Sequence, residues 1–166
     1  MRVTRRRMLL GAVSLAGLAV AGRFAMRSQT AAADTTYAVT HTDAEWQKLL
    51  KPDQYAVLRQ AATEPAGSSP LLNEHRKGVF ACAGCDLSLF SSDTKFESGT
   101  GWPSFWKPLD GAVKTQVDNS FFMQRIEVHC ARCGGHLGHL FDDGPQPTGL
   151  RYCMNGLALV FHPTQA

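Results

Sequence analysis

Two C-x-x-C pairs constrain the fold of this chain more than any other sequence feature. In each pair a tight turn presents two thiolates to one ion, and four thiolates complete the tetrahedral coordination that Zn²⁺ prefers. Residues 86–129 lie between the pairs, so a shared metal would close a large loop and clamp distant strands together. The sequence therefore predicts one structural zinc ion per chain, held by Cys82, Cys85, Cys130 and Cys133.

Two other uses of these cysteines remain open. A C-x-x-C pair can be a thiol–disulfide exchange motif, although that chemistry needs one pair at a helix N-terminus. The pairs can also form disulfides, although a C-x-x-C disulfide closes a short, strained ring. Gly134 and Gly135 follow the second pair and favour a metal-binding turn. His129 and His136 flank this region and are able to replace a ligand, but four cysteines already satisfy the ion.

The fifth cysteine, Cys153, is left without a partner. A buried and inert cysteine is a common alternative. In a strand, however, Arg151, Cys153 and Asn155 point to one face. A guanidinium beside a thiol lowers the thiol pKa and favours the nucleophilic thiolate, and the Asn155 amide offers donors and acceptors. We therefore predict a catalytic site with Cys153 as its nucleophile.

The pattern of apolar residues predicts a mainly β (α+β) domain with short N-terminal helices. Residues 43–62 have helical periodicity that Pro52 divides in two, and Thr42 and Glu45 form a potential capping box. A turn-rich linker follows at residues 64–69, and no chemical role is assigned to the helices or the linker. Strands are predicted at 79–81, 121–128 and 151–161.

Residues 1–33 have the features of an export signal. Arg5-Arg6-Arg7 precedes an apolar run from Met8 to Gly22, which is shorter than the ~20 residues needed to span a bilayer. The string Thr4 to Leu10 resembles a twin-arginine signal, and alanines 31–33 suit a signal peptidase. We expect a periplasmic protein whose single domain spans residues 34–166. The alternative is an uncleaved signal that anchors the domain to the membrane, facing the periplasm.

The net charge of +3 is carried by this leader. Six of the 17 basic residues lie in residues 1–33, which contain no acidic residue, so 11 basic residues face 14 acidic ones in the remainder. The domain itself has no basic excess, and we expect neither nucleic acid nor an anionic membrane as a partner. Nothing in the sequence indicates more than a monomer.

Several motifs together resemble the methionine-R-sulfoxide reductase B family, over about residues 42–163. They are both C-x-x-C pairs, E-W-Q-K-L-L (45–50), S-G-T-G-W-P-S-F (98–105), G-G-H-L-G-H-L-F-D-D-G-P (134–145) and R-Y-C-M-N (151–155). The resemblance implies two antiparallel β-sheets with short helices, and a structural zinc far from the active site. It also implies reduction of the R-epimer of methionine sulfoxide in oxidised proteins or peptides.

The resemblance implies roles for individual residues. Cys153 falls on the catalytic thiol, with Arg151 beside it. Trp102 falls on the aromatic wall that receives the substrate methyl group, and Phe141 lies near the methyl pocket. The polar positions around the sulfoxide are occupied by His136, His139 and Asn155.

The residues themselves support this chemistry. Sulfoxide reduction needs a nucleophilic thiolate, a proton donor for the departing oxygen and an apolar wall that reads handedness. His136 and His139 are three positions apart, and on an irregular Gly-rich segment both could face the site. On the residues alone, Trp102 can equally be a core residue, and the two histidines can serve only in turn packing or near the zinc.

Many family members carry a resolving cysteine at the position of Thr100. With four thiols on zinc, no cysteine remains to form an intramolecular disulfide with Cys153. We therefore expect the sulfenic acid to be reduced by an external, thioredoxin-like thiol. A non-enzymatic zinc-knuckle module is the main rival interpretation, and a C-x-x-C thiol–disulfide exchanger is a second.

Overall fold

The computed structural model describes residues 37–120 and 123–164. The predicted export signal, residues 1–33, lies outside these residues. None of the helices in the described ranges is long and apolar enough to cross a membrane.

Two short helices open the described chain, as predicted. Helix α1 spans Asp43–Leu49 and begins with the expected capping box, in which Thr42 and Glu45 satisfy each other's backbone N–H groups. Helix α2 spans Pro52–Gln60, and Pro52 stands in its first turn, where the missing N–H of proline costs nothing. Trp46 of α1 and Leu58 of α2 are buried, so both helices cover the core.

Nine antiparallel strands follow in the described residues and form two sheets, which confirms the predicted fold class. The first sheet has the order β2-β1-β9 and the second has the order β3-β4-β8-β7-β6-β5. The strands are β1 Gly78–Cys82, β2 Ser88–Ser91, β3 Lys95–Phe96, β4 Ser104–Phe105, β5 Val113–Asp118, β6 Arg125–Cys130, β7 His136–Phe141, β8 Arg151–Met154 and β9 Leu159–Pro163.

Aromatic side chains join the two sheets. Phe105 of the six-stranded sheet stacks on Phe90 of the three-stranded sheet, with ring centroids 4.4 Å apart. Its other neighbour is Phe80 of β1, at 4.9 Å. All three rings are fully buried. Burial of aromatic surface of this extent is a major source of stability, so the two sheets share one core.

Two strand predictions were wrong in their bounds. Of the strand predicted at 121–128, residues 121 and 122 lie outside the described residues, residues 123 and 124 are not in a strand, and β6 runs from Arg125 to Cys130. The single strand predicted over 151–161 is two strands in different sheets, separated by a 3-10 turn at Gly156–Ala158. The Glu64 carboxylate accepts the backbone N–H groups of Gly156 and Leu157, which diverts them from a strand ladder. A side chain distant in sequence therefore decides where the strand breaks.

Candidate active site and cysteine cluster

The predicted nucleophile lies in the middle of a row of side chains that crosses the six-stranded sheet. Cys153 of β8 pairs in register with Ser104 of β4 on one side and with His139 of β7 on the other. The row continues from His139 to Glu127 of β6 and then to Gln116 of β5. Directly paired residues project from the same face of an antiparallel sheet, so five strands bring these polar groups together.

A second row lies two residues along the same strands. Arg151 pairs with Phe141, and Asp118 pairs with Arg125. Because side chains alternate between faces, positions two residues apart share a face. The Arg151 guanidinium lies over the Phe141 ring, 4.3 Å from its centroid. The predicted site therefore occupies one face of the sheet, in two adjacent rows.

A β-bulge places both predicted histidines on this face. Residues three apart in a regular strand point to opposite faces. The register of β6 and β7 shifts between Val128 and His129, so that His129 pairs with His136 and not with Leu137. The rings of His136 and His139 then lie 5.4 Å apart, edge to face. A bulge re-aims side chains in this way without ending the strand pairing.

A cavity of about 120 Å³ opens beside Cys153. Of the seven catalytic and substrate-binding residues predicted, it brings together five; its lining is Thr63, Trp102, Arg125, Gly138, His139, Phe141, Cys153 and Asn155. Arg151 and His136 do not line it. His136 lines an adjoining polar cavity, which also reaches His139, Arg125 and Thr63. The sequence identified neither Thr63 nor Arg125.

The surroundings of the Cys153 thiol act in opposite directions on its pKa. Burial raises the pKa, while Thr100, Arg151 and Ser104 each lower it by favouring the thiolate, and burial prevails. The Oγ1 atom of Thr100 lies 3.8 Å from the Cys153 Sγ atom. The guanidinium of Arg151 therefore acts in the predicted direction, but the net pKa of the resting thiol is raised. The predicted effect of Arg151 is confirmed in direction, and it is outweighed by desolvation, which the sequence alone does not show.

Arg151 is itself held by an ion pair. Its Nε and Nη2 atoms donate to the two oxygens of Asp143, at 2.8 and 2.9 Å. This fork geometry fixes the plane of the guanidinium, and Asp143 raises the pKa of Arg151 further. Arg151 is thus a fixed positive charge that lies over the Phe141 ring and near Cys153.

Each of the two predicted histidines has a carboxylate partner. His136 Nδ1 donates to Glu127 Oε1 at 2.5 Å, and His139 Nε2 donates to Asp118 Oδ2 at 3.0 Å. Burial would raise the pKa of Glu127, but hydrogen bonds from His129, His136 and Gln116 outweigh it and hold the pKa low. Glu127 therefore remains ionised and orients His136. Alternation along β6 is the sequence signal that places Glu127 and Arg125 on one face.

Glu64 organises the other side of the cavity, although the linker that contains it was assigned no role. Its carbonyl oxygen accepts the indole N–H of Trp102 at 3.1 Å, and its backbone N–H donates to Asn155 Oδ1 at 3.0 Å. The Nδ2 atom of Asn155 donates to the Leu137 carbonyl and retains a second hydrogen. One buried linker residue thus orients two of the predicted site residues.

Gly101 allows the Trp102 loop to approach this linker. Its φ of +93° lies in the region that favours glycine, and a Cβ there would meet the Ala66 Cβ at 2.9 Å. The Gly67 N–H donates to the Gly101 carbonyl at 2.8 Å. The contact therefore requires a glycine next to the tryptophan.

The four remaining cysteines form a cluster at the other end of the strands. Cys82 ends β1 and Cys130 ends β6, so the two C-x-x-C turns belong to different sheets. All four sulfur atoms lie within 4.8 Å of one another. The sulfurs of Cys82 and Cys133 are 3.7 Å apart, and those of Cys85 and Cys130 are 3.5 Å apart.

These distances fit a metal and not a disulfide. A tetrahedron with metal–sulfur bonds of about 2.3 Å has edges of about 3.8 Å, whereas a disulfide bond is about 2.05 Å long. Each turn ends in a left-handed residue, Asp86 with φ +57° and Gly134 with φ +68°. All five cysteines are free thiols in this structure. The four clustered cysteines therefore form a site that could hold a tetrahedral metal ion and join the two sheets.

Comparison with known proteins agrees with this architecture. The SelR domain family matches residues 50–163. The chain is 54% identical over 126 residues to a peptide methionine sulfoxide reductase MsrB of Leptospira interrogans, covering 75% of this chain and 96% of that protein. It is 56% identical over 125 residues to the protein of the same name from Methanosarcina barkeri, covering 75% and 88%. A chloroplastic peptide methionine sulfoxide reductase B1 of Arabidopsis thaliana is 54% identical over 116 residues, covering 69% and 57%.

Proposed function

The chain belongs to the SelR domain family and is a peptide methionine sulfoxide reductase, and from this premise we propose that it reduces the R-epimer of methionine sulfoxide through Cys153. One observation carries the proposal. Cys153 lies in a small cavity with the Trp102 ring on one side and a histidine directly beside it in register. A methyl sulfoxide presents an apolar methyl group and a polar oxygen, which such a cavity separates.

The proposed step transfers one oxygen atom. The S–O bond of the sulfoxide breaks, and a new S–O bond forms on the Cys153 sulfur. Methionine sulfoxide and a thiol thus become methionine and a sulfenic acid, with two electrons passing from Cys153 to the substrate sulfur. The thiol releases one proton when it becomes the attacking thiolate, and the transferred oxygen takes up one proton from a general acid, so the proton count balances.

His139 is the proposed proton donor for the departing oxygen. It lines the cavity and pairs in register with Cys153, whereas His136 lies behind it in the adjoining cavity. A positioned imidazole near neutral pH serves general acid catalysis well. Asn155, through its free Nδ2 hydrogen, is the second polar group proposed to contact the oxygen. We assign His136 a supporting role because it does not line the Cys153 cavity.

We further propose that the four-cysteine cluster holds a structural zinc ion. The sulfur–sulfur distances of 3.5–3.7 Å support tetrahedral coordination. Thiolates are ligands that zinc favours, and a site closed by four protein ligands stabilises the fold and takes no part in the reaction. The oxygen transfer is therefore carried out by the chain's own side chains.

Recycling is proposed to use an external thiol. Thr100 stands 3.8 Å from the Cys153 sulfur, where a cysteine would be able to form a disulfide. Because the other four thiols are engaged in the cluster, the sulfenic acid would be reduced by a thioredoxin-like dithiol protein. A disulfide from Cys153 to another cysteine of the same chain, detected by mass spectrometry after turnover, would exclude this route.

We propose export to the periplasm by the twin-arginine route. This route moves folded proteins, which suits a chain that must load a metal before entering an oxidising compartment. Replacing Arg5, Arg6 and Arg7 by lysine should retain the protein in the cytoplasm, as measured by fractionation and immunoblotting. An unchanged periplasmic fraction would argue for a different export route.

The decisive experiment measures turnover of peptides that carry methionine-R-sulfoxide or methionine-S-sulfoxide, with dithiothreitol as reductant. We expect R-specific turnover that Cys153→Ser abolishes. Trp102→Leu should raise KM strongly, whereas Trp106→Leu, a matched change outside the cavity lining, should leave KM unchanged. Bound zinc and circular dichroism confirm that each variant is folded. Absence of turnover by zinc-loaded wild-type protein would refute the proposal and favour a non-enzymatic zinc module.

A further inference from the structure

Asp118 contacts two groups of the Cys153 cavity without lining that cavity. Its Oδ2 atom accepts hydrogen bonds from His139 Nε2 at 3.0 Å and from Arg125 Nη2 at 2.7 Å. Both of these partners line the cavity, whereas Asp118 lines only the adjoining polar one. Asp118 therefore reaches the groups of the Cys153 cavity through His139 and Arg125.

The Asp118 carboxylate is fixed and ionised. Its Oδ1 atom accepts the backbone N–H of Ser120 at 2.8 Å. Hydrogen bonds from Ser120, followed by that from His139, hold the pKa of Asp118 well below its ordinary value. A carboxylate held by several donors keeps both its charge and its orientation through the neutral pH range.

The charged and titratable groups that face His139 come from four strands. They are Asp118 of β5, Arg125 and Glu127 of β6, His136 of β7 and Cys153 of β8. Burial lowers the pKa of His139, and Arg125 and His136 lower it further, whereas Asp118 raises it. Glu127 is engaged by other partners, since its two oxygens accept from His136 and Gln116.

We propose that Asp118 is a positioning residue that orients the His139 ring and stabilises its protonated form for donation to the departing oxygen. The proposal rests on the proposed function, because it assigns His139 as the proton donor. Asp118 also balances the Arg125 charge, which would otherwise oppose the imidazolium. Asp118 does not line the Cys153 cavity, and its hydrogen bonds from His139 and Arg125 are what connect it to that cavity.

The test compares Asp118→Asn with wild type. Asparagine keeps an acceptor oxygen but loses the charge that favours the imidazolium. An opposite charge at hydrogen-bond distance shifts a pKa by one to three units, and partial exposure places this pair near the lower end. The pKa of His139 should therefore fall, because Asp118 is the group that raises it. We expect kcat/KM to drop about ten-fold at pH 7.5 and to recover as pH is lowered.

Controls separate this role from a structural one. Asp110→Asn removes an exposed carboxylate that pairs with Lys107 and should leave the pH profile unchanged. Asp118→Glu retains the charge and should keep the wild-type pH dependence of kcat/KM, even if the overall activity is lower. A uniform loss at every pH, or an unaltered profile in Asp118→Asn, would overturn the proposal.

A second readout does not depend on turnover. The His139 imidazole is titrated by NMR in ¹⁵N-histidine-labelled protein, assigned with His139→Gln. We expect a lower His139 pKa in Asp118→Asn than in wild type, and an equal pKa would refute the inference. If the His139 pKa is lower in Asp118→Asn than in wild type but the wild-type protein shows no sulfoxide turnover, the proposed function fails while the inferred contact between Asp118 and His139 stands.

Discussion

Removal of the metal from the cysteine cluster should destabilise the domain strongly. Cys85 and Cys130 are 45 positions apart, and an ion bound to both closes that loop in the unfolded as well as the folded chain. The loop-closure relation for a cross-link gives about 4 kcal/mol for a loop of this length. Domains of this size have unfolding free energies of only about 5–15 kcal/mol, so the loss is a large share of the total.

The loss translates into a measurable change in melting temperature. A domain of about 130 residues has an unfolding entropy near 0.27 kcal/mol/K, so 4 kcal/mol corresponds to roughly 15 °C. The assay is calorimetry of zinc-loaded and chelator-treated protein in a non-thiol reductant, with metal content measured in parallel. Thiol titration provides a second readout, because Cys153 should react rapidly in the loaded protein and all five cysteines in the stripped protein.

Cys153→Ser is the matched control, since it removes the one cysteine outside the cluster. Its melting temperature and zinc content should equal those of wild type. If metal-free protein melts within a few degrees of the loaded form with its thiols reduced, the cluster does not stabilise the fold through a metal. The loop-closure reasoning would then be wrong.

Three further predictions concern the catalytic side of the molecule. Glu64→Ala leaves one buried and one part-buried backbone N–H group without an acceptor, so the unfolding free energy should fall by about 2–4 kcal/mol in denaturant titration, and KM should rise. A stable variant with unchanged KM would contradict this. Thr100→Val removes a group that lowers the pKa of Cys153. Alkylation of Cys153 by iodoacetamide at pH 7.5 should therefore slow roughly three-fold, and the midpoint of the alkylation rate against pH should move to higher pH. An equal or faster rate would refute the contact. Asp143→Asn weakens the ion pair of Arg151. Because Asp143 is 59% exposed, the unfolding free energy should fall by only about 1 kcal/mol, which lowers the melting temperature by a few degrees. An unchanged melting temperature would show that the pair contributes nothing.

Much of the fold follows from local patterns in the sequence. The capping box at Thr42, the helix start at Pro52 and the two C-x-x-C turns are each specified by neighbouring residues, and the structure has them as predicted. Alternation along a strand also placed Arg151 and Cys153 on one face. The boundary between β8 and β9 was missed, because it depends on the distant Glu64 carboxylate.

The predicted site shows the same division. The five cysteines and the two histidines were recognisable as candidates, yet a strand of regular geometry would put His136 and His139 on opposite faces. The bulge between Val128 and His129 puts both histidines on one face, and it can be recognised only from the pairing of β6 with β7. Asp118 and Glu127 were not identified, since their partners lie on other strands.

The sequence by itself determined which residues have reactive chemistry: four thiols spaced for a metal, one thiol left over, and a tryptophan and histidines in motifs that resemble one enzyme family. The tertiary structure alone decided which histidine stands beside Cys153 and which lies behind it, which carboxylate each histidine contacts, and that burial outweighs the Arg151 charge at the thiol. The physical reason is the sequence separation over which each kind of interaction acts. Turns, caps and alternation arise between neighbours in the chain, whereas register, desolvation and hydrogen bonding across a sheet arise only when distant strands meet.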